Sequence, residues 1–303
     1  MEPVPSAQFG PVTVYFGDKS GKYPDGNQVV VSGADAVAAF DTPLVANRLA
    51  AVLQQADLVI LGHVHEDHMA GLHRVPRTPV HVHDADASAA RSWAGLSRHY
   101  GYAPAVLDAL RPQIERSFHY TPRPNAIGYV DGAVWELGGG VRVRAVHLPG
   151  HTAGHCALLV EPGGVAFIGD IDLSSFGPYY GDASSSLADF RRSLRKLAEL
   201  PARVWITSHH KGVITDRAAF AALLTAFAER IDEREARLLR MLDAGPRTLA
   251  ELARERLLYP PHASDVWTGS AEARSIEQHL AELLADGRVL HDSGSGRWRR
   301  AAR

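Results

Sequence analysis

Four side chains able to give nitrogen or oxygen to a metal ion fall within six residues in His63-Val-His65-Glu-Asp67-His68. The same event recurs further along. His151 follows the apolar run 141–148, Asp170 follows 165–168, and His209 follows 204–207. In layered α/β folds, ligand sites gather where neighbouring strands end. Four adjacent strands ending this way would line one pocket with imidazole and carboxylate. Such a donor set suits a borderline ion such as Zn²⁺ when thiolates are absent, and the chain has a single cysteine. A lone histidine is more often a satisfied core or surface residue; the fourfold recurrence after strands sets these apart. Thirteen of the 16 histidines lie between His63 and His210, so the enrichment is local rather than spread over the chain.

The stretches that must position these residues read as alternating strands and helices. Short strands are expected over 12–16, 29–31 and 36–40, with a turn-rich 22–27 between the first two. A helix is expected over 44–55, a strand over 57–61, and two or three polar helices in 84–118, punctuated by Gly101, Pro104 and Pro112. Residues 141–148 alternate as a half-exposed strand. A hairpin is expected from 156–160 and 165–168, an amphipathic helix over 187–200 with Leu187, Phe190, Leu194 and Leu197 on one face, and a last strand over 204–207.

Composition narrows the function classes. The 303 residues, 46% hydrophobic and 22% charged, suit a soluble globular chain of one large domain or two ordinary ones. A net charge of −2 creates no field suited to nucleic acid or an anionic membrane. One cysteine excludes an intrachain disulfide and a thiolate-rich metal site. No run approaches the roughly 18 apolar residues of a membrane span, and the opening residues lack a signal-peptide pattern. The cytoplasm is the expected location.

The sequence resembles the metallo-β-lactamase superfamily. The resemblance rests on His63-Val-His65-Glu-Asp67-His68, then Pro149-Gly-His151-Thr-Ala-Gly-His155, then Phe167-Ile-Gly-Asp170, then the strand-end His209, in that order over roughly residues 10–225. It implies an α/β fold, the four-layer αββα sandwich, and a dinuclear metallohydrolase. By position it implies His63, His65 and His151 on one metal, Asp67, His68 and His209 on the other, and Asp170 bridging. The implied cofactors are two Zn²⁺ per chain, with iron or manganese as alternatives. The implied chemistry is a metal-bridging hydroxide, with Asp67 orienting the nucleophile and passing its proton on. The fold leaves the substrate open, and the near-zero charge without a basic run favours a small acyl compound (an ester, thioester or lactone). The alternative is a phosphodiesterase or ribonuclease acting on single-stranded nucleic acid; an oxygen-handling iron protein is a third reading.

Two positions depart from the family pattern: His210 stands where a glycine is expected, so His209 is taken as the ligand, and Gly62 stands where Thr or Ser is common. Other residues carry weaker expectations. Asp41 matches a family position that supports the site, or is an ordinary turn residue. His155 is read as structural, and Asp172 as a cap for the loop after it. His147 is read as an ordinary strand residue, with substrate contact as the lesser alternative. Glu66 should face solvent by alternation. Tyr179 and Tyr180, on the loop after Asp170, are candidate substrate-binding residues able to donate to a developing oxyanion, or merely loop residues.

After residue 225 the texture changes. Helices are expected over 229–243, 249–258 and 271–285, followed by a hairpin from Gly287. This outline resembles a winged helix, a small α+β domain, dividing the chain at 1–225 and 226–303. Residues 231–303 hold 12 Arg against 12 Asp and Glu and no Lys. A DNA-reading module usually shows a basic face, so the segment is read as a packing or homodimerisation element that walls the cleft. The expected partner is a small molecule, with nucleic acid less favoured and no membrane.

Overall fold

The computed structural model describes residues 3–302. Seven strands form one sheet in sequence order: β1 (Ser6–Phe9), β2 (Val12–Tyr15), β3 (Gln28–Ser32), β4 (Val37–Phe40), β5 (Leu58–Ile60), β6 (Val80–His83) and β7 (Ile127–Tyr129). The first four pair antiparallel, and β4 to β7 pair parallel. Six more form a second sheet: β8 (Val134–Gly138), β9 (Val141–His147), β10 (Cys156–Glu161), β11 (Val165–Phe167), β12 (Val204–Ile206) and β13 (Val213–Ile214), in the order β13-β12-β11-β10-β9-β8. Only β11 and β12 pair parallel there.

Side chains alternate across a strand, so each sheet has two apolar faces to cover. Val29, Val31, Phe40 and Ile60 of the first sheet meet Ala145, Leu158, Phe167 and Ile206 of the second in a shared core. The outer face of the first sheet, through Ala39, Val59, Val80 and Val82, packs on Leu96, Leu110 and Ile114 of the helices Trp93–Tyr100 and Pro104–Ser117. Leu159, Ala166 and Trp205 on the outer face of the second pack on Phe190, Leu194 and Phe227 of the helices Leu187–Ala198 and Arg217–Asp243. Helix, sheet, sheet and helix make the expected four-layer sandwich. The Ser186 and Asp216 side chains start the last two helices by accepting from the amides of Asp189 and Ala219.

The Arg217–Asp243 helix contains neither glycine nor proline and runs without interruption through position 226. Phe220, Leu224, Phe227 and Ile231 belong to the sandwich, whereas Leu238, Leu239 and Leu242 join a separate core with Leu252, Ile276 and Leu280. The change of core therefore falls inside one helix, between Ile231 and Leu238, rather than at the 225/226 boundary. The second core is completed by the helices Leu249–Glu255 and Thr268–Ala285 and by a three-stranded sheet of β14 (Arg247–Thr248), β15 (Val289–Asp292) and β16 (Arg297–Arg300), ordered β14-β16-β15. Among the described residues, no helix is long and apolar enough to cross a membrane.

Candidate metal centre

Four of the strands deliver the chemistry to one end of the sandwich. β5 ends three residues before His63, β9 four before His151, β11 three before Asp170 and β12 three before His209. The two sheets are joined at that end by the Cys156 amide, which donates to Gly62 O at 2.7 Å.

His65 is extended (φ −134°, ψ 166°), and the next residues, Glu66–Met69, coil into a 3₁₀ turn. The change of backbone separates the motif into two directions. His63 and His65 converge with His151 and Asp170, while Asp67 and His68 converge with His209. Asp170 stands between the groups with one oxygen for each. Its Oδ2 lies 3.3 Å from His151 Nε2 and 3.9 Å from His63 Nε2; its Oδ1 lies 3.1 Å from His68 Nε2 and 3.5 Å from His209 Nε2. Asp67 Oδ2 is 3.1 Å from His209 Nε2 and 3.5 Å from His68 Nε2. All seven residues singled out as ligands are thus brought together.

The outward-facing nitrogens of four of the five histidines are held by oxygen acceptors. His65 Nε2 meets Asp182 Oδ2 at 2.8 Å, His68 Nδ1 meets Asp41 Oδ2 at 2.8 Å, His151 Nδ1 meets Tyr179 O at 3.2 Å and His209 Nδ1 meets Gly21 O at 2.8 Å. A ring that donates one N–H outward keeps its other nitrogen bare for a metal. The bare His65 Nδ1 and His151 Nε2 face each other at 3.0 Å. Two lone pairs and the Asp170 carboxylate repel one another unless a cation or proton lies between them. In the second group, His68 Nε2, His209 Nε2 and Asp170 Oδ1 are buried without a hydrogen-bond partner, as are both ring nitrogens of His63. Buried polar atoms are rarely left so, and two cations would satisfy them: the residues present fit a dinuclear site.

Electrostatics agree. Burial opposes charge on His65, but the Asp182 hydrogen bond and charge outweigh it and raise its pKa to about 9; a metal would replace that proton. Burial likewise opposes ionisation of Asp170, yet His68, His209 and His63 hold it well below the usual carboxylate range. His155 is pushed down to about 3, by burial first and His151 next. It stays neutral, with Nδ1 against Leu148 O and Nε2 accepting the Asp170 amide, so it fixes the Asp170 loop. Gly169, at φ +56°, allows that contact, since a Cβ there would sit 2.6 Å from His155 Nε2.

Support for the loops comes from two further carboxylates. Asp41, itself left-handed at φ 51°, accepts the Gly62 amide at 2.7 Å while holding His68. Asp86, fully buried, accepts from the Val64 amide, the Thr152 hydroxyl and the Gly154 amide, tying the His63 loop to the His151 loop. Asp86 and Asp182 carry no local sequence signal; the ligand-loop groups they hold, the Val64 amide and the His65 ring, are 22 and 117 residues away.

The expectations for Glu66, Tyr180 and Tyr179 are corrected. Glu66 does not face solvent: the 3₁₀ turn directs it into the cavity wall, where the hydroxyls of Tyr23 (3.2 Å) and Tyr100 (2.5 Å) donate to its carboxylate. Tyr180 does not reach the cavity; it is fully buried, with its hydroxyl 2.8 Å from His279 Nε2. Tyr179 does line the cavity, but its hydroxyl donates to Asp182 Oδ1 at 3.0 Å and so supports His65 instead of standing free for an oxyanion. His147 bonds Ala153 O and stacks on His83, outside the cavity lining. His210 sits at φ 59° with Nε2 3.6 Å from Asp172, outside the His68 group. The left-handed backbone is why glycine is expected there. Asp172 accepts the Ser174 amide, as a cap. A separate cluster, Glu235, His279 and Glu282, is an ion-pair network whose carboxylates already take Arg191 and Arg288.

The cavity beside the centre measures about 480 Å³. Its wall combines aromatic rings (Tyr23, Tyr100, Tyr102, Phe176, Tyr259, Trp267) with the carboxylates of Glu66, Asp172, Asp182 and Asp265 beyond the two metal-facing ones. Lys22 is the single lysine or arginine among the lining residues.

Residues 33–209 match the family model described as Metallo-beta-lactamase superfamily. A "Beta-lactamase-like protein 2 homolog" of Drosophila melanogaster is 23% identical over 255 residues, covering 82% of this chain and 77% of the relative. An atrochrysone carboxyl ACP thioesterase of Aspergillus fumigatus is 27% identical over 170 residues, covering 56% of this chain and 47% of that protein. Among solved structures, a metallo-beta-lactamase family protein from Thermus thermophilus superposes with TM-score 0.68 at 28% identity, covering 91% of this chain and 94% of its own. A beta-lactamase domain protein from Burkholderia ambifaria gives TM-score 0.67 at 19% identity, covering 98% and 94%. Both likenesses are too long to be confined to residues 1–225.

Proposed function

Because this chain belongs to the metallo-beta-lactamase superfamily, we propose that it is a dinuclear zinc hydrolase acting on a small acyl compound, with thioesters first and esters and lactones after. The observation that carries the substrate class is the cavity wall, which is aromatic and acidic, with Lys22 its one lysine or arginine among the described residues. A nucleic-acid backbone is held by several Lys or Arg side chains, and this wall would repel it. A neutral acyl compound meets no such barrier. The thioesterase named among the relatives supports the same choice.

In this reading His63, His65 and His151 would hold one ion and Asp67, His68 and His209 the other, with Asp170, whose two oxygens face the two groups, shared between them. Two cations held so supply a Lewis acid for the acyl carbonyl and lower the pKa of the attacking water. Zinc suits a site of imidazole and carboxylate without thiolate. Asp67 lines the cavity; it orients the water and carries its proton towards the leaving group. Asp182 and Asp41 hold His65 and His68 in the tautomers that present bare nitrogens. We read the C-terminal helices and three-stranded sheet as a winged helix that walls the cleft.

The test is a panel of acyl thioesters, esters and lactones assayed beside a labelled single-stranded RNA. Hydrolysis of a thioester, lost on chelation and restored by zinc, is expected. Cleavage of RNA alone, steeply weakened by salt, would replace this reading with a nuclease.

A further inference from the structure

The outer wall of the cavity is contributed by the C-terminal part of the chain. Tyr259, Asp265 and Trp267 all line it, and they stand on the segment joining the Leu249–Glu255 and Thr268–Ala285 helices. That segment contains no helix or strand of its own, so its position depends on what its backbone amides bond to. Glu272 supplies the partner. Its carboxylate is fully buried and accepts from the amides of Leu257 (2.8 Å), Leu258 (3.0 Å) and Tyr259 (2.7 Å). A buried carboxylate taking three successive amides makes charge-assisted bonds that fix the turn firmly.

The adjoining part of the wall is fixed by a second buried charge. Arg234 donates to the carbonyls of Phe176 and Pro178, and its guanidinium lies 5.2 Å from the centre of the Phe176 ring. The Phe176 ring then meets the Tyr259 ring at 5.4 Å between centres. Phe176 is 37% exposed although it is a large apolar side chain. An aromatic pair held by two buried charges, lining the same cavity as the metal-facing residues, is a preorganised surface for a flat apolar group. Asp182 and Asp265 on the same wall disfavour an anionic one.

We infer that Phe176, Tyr259 and Trp267 form the subsite for an aromatic or other flat, uncharged acyl group, with Glu272 as the positioning residue that holds Tyr259 in it. The inference rests on the acyl-substrate reading above, and it assigns the C-terminal segment a part in selectivity. Tyr259 and Trp267 contact the non-reacting end of the substrate; Glu272 touches only the segment that carries Tyr259.

The experiment compares phenylacetyl and acetyl thioesters of N-acetylcysteamine, with metal content measured on every variant. The wild type should favour the phenylacetyl compound in kcat/KM. Tyr259→Ala and Trp267→Ala should each cut that preference about tenfold, chiefly through KM, while retaining both metals. Glu272→Gln should raise KM for the phenylacetyl compound with kcat held, and should speed hydrogen exchange at the amides of residues 257–259. An unchanged preference in both alanine variants overturns the inference, whether or not Glu272→Gln folds. If the wild type cleaves neither these thioesters nor any ester or lactone of the panel, the acyl reading fails, and the subsite is judged by equilibrium binding of neutral phenylacetamide. Binding about tenfold weaker in Tyr259→Ala then sustains the subsite; equal binding overturns it.

Discussion

Asp182 Oδ2 lies 2.8 Å from His65 Nε2, and the other nitrogen of that ring points at His151 Nε2, 3.0 Å away. The carboxylate thus decides which His65 nitrogen carries the proton. Asp182 is itself held by the Tyr102 and Tyr179 hydroxyls. Asp182→Asn should therefore lower metal affinity or turnover by about 10–100-fold, the usual effect of losing a partner behind a metal ligand. Titrating zinc back into the apo variant, with the wild type as control, checks this; equal affinity and turnover would refute the role.

Asp86 spans the two loops that carry His63 and His151 through the Val64 amide, the Thr152 hydroxyl and the Gly154 amide. Removing a carboxylate that satisfies three buried donors costs on the order of 3 kcal/mol. Asp86→Ala is expected to lower the unfolding free energy by that amount and to loosen metal retention, as denaturant titration would show. A stability within about 0.5 kcal/mol of wild type would mean that the donors find other partners.

His209 and His210 separate by backbone as well as by reach. His209 Nε2 faces Asp67 and Asp170, whereas His210 is left-handed at φ 59°. His209→Ala should remove one metal and abolish turnover. His210→Gly should keep both metals and gain up to about 1 kcal/mol, because glycine adopts that backbone without steric cost. The reverse pattern in metal content would exchange the two residues' roles.

His279 gives a pH signature away from the metals. Burial, then the nearby Arg234 and Arg191, push its pKa down to about 3, and its Nε2 lies 2.8 Å from the Tyr180 hydroxyl. Glu235 and Glu282 also approach the ring. The folded chain thus declines a proton that the unfolded chain takes near the ordinary value of about 6.5. This contribution is complete above pH 6.5 and is lost as pH falls towards 3, reaching a loss of about 2 kcal/mol at pH 5. Thermal melting at pH 7 and pH 5 should show a smaller difference in His279→Gln than in wild type; identical differences would remove the assignment.

The ligands are legible in the sequence because each follows an apolar run and four of them are nearly contiguous. The supports are not, because they are relations across the fold. His65 and Asp182 are 117 positions apart, and nothing near Asp182 marks it. Strict alternation misplaces Glu66 because it carries one residue too far, past the point where His65 hands over to the 3₁₀ turn. The strand Val80–His83 is hidden because alternate histidines give the segment a polar look. The 225/226 boundary falls inside a helix because the apolar spacing runs on through Phe227 and Ile231, and only contact with two different cores shows where one unit ends. Tyr259 and Trp267 belong to a segment without periodicity, so only its closure over the cavity reveals them.

Seven side chains converge as two metal-binding groups with Asp170 between them. Elemental analysis of protein purified without chelators, on the wild type and on Asp170→Ala, reads their occupancy. The wild type should carry two equivalents of transition metal per chain and the variant one or fewer, with the fold retained. Less than one equivalent in the wild type, under conditions that preserve bound metal, would mean that these seven residues do not form a dinuclear centre.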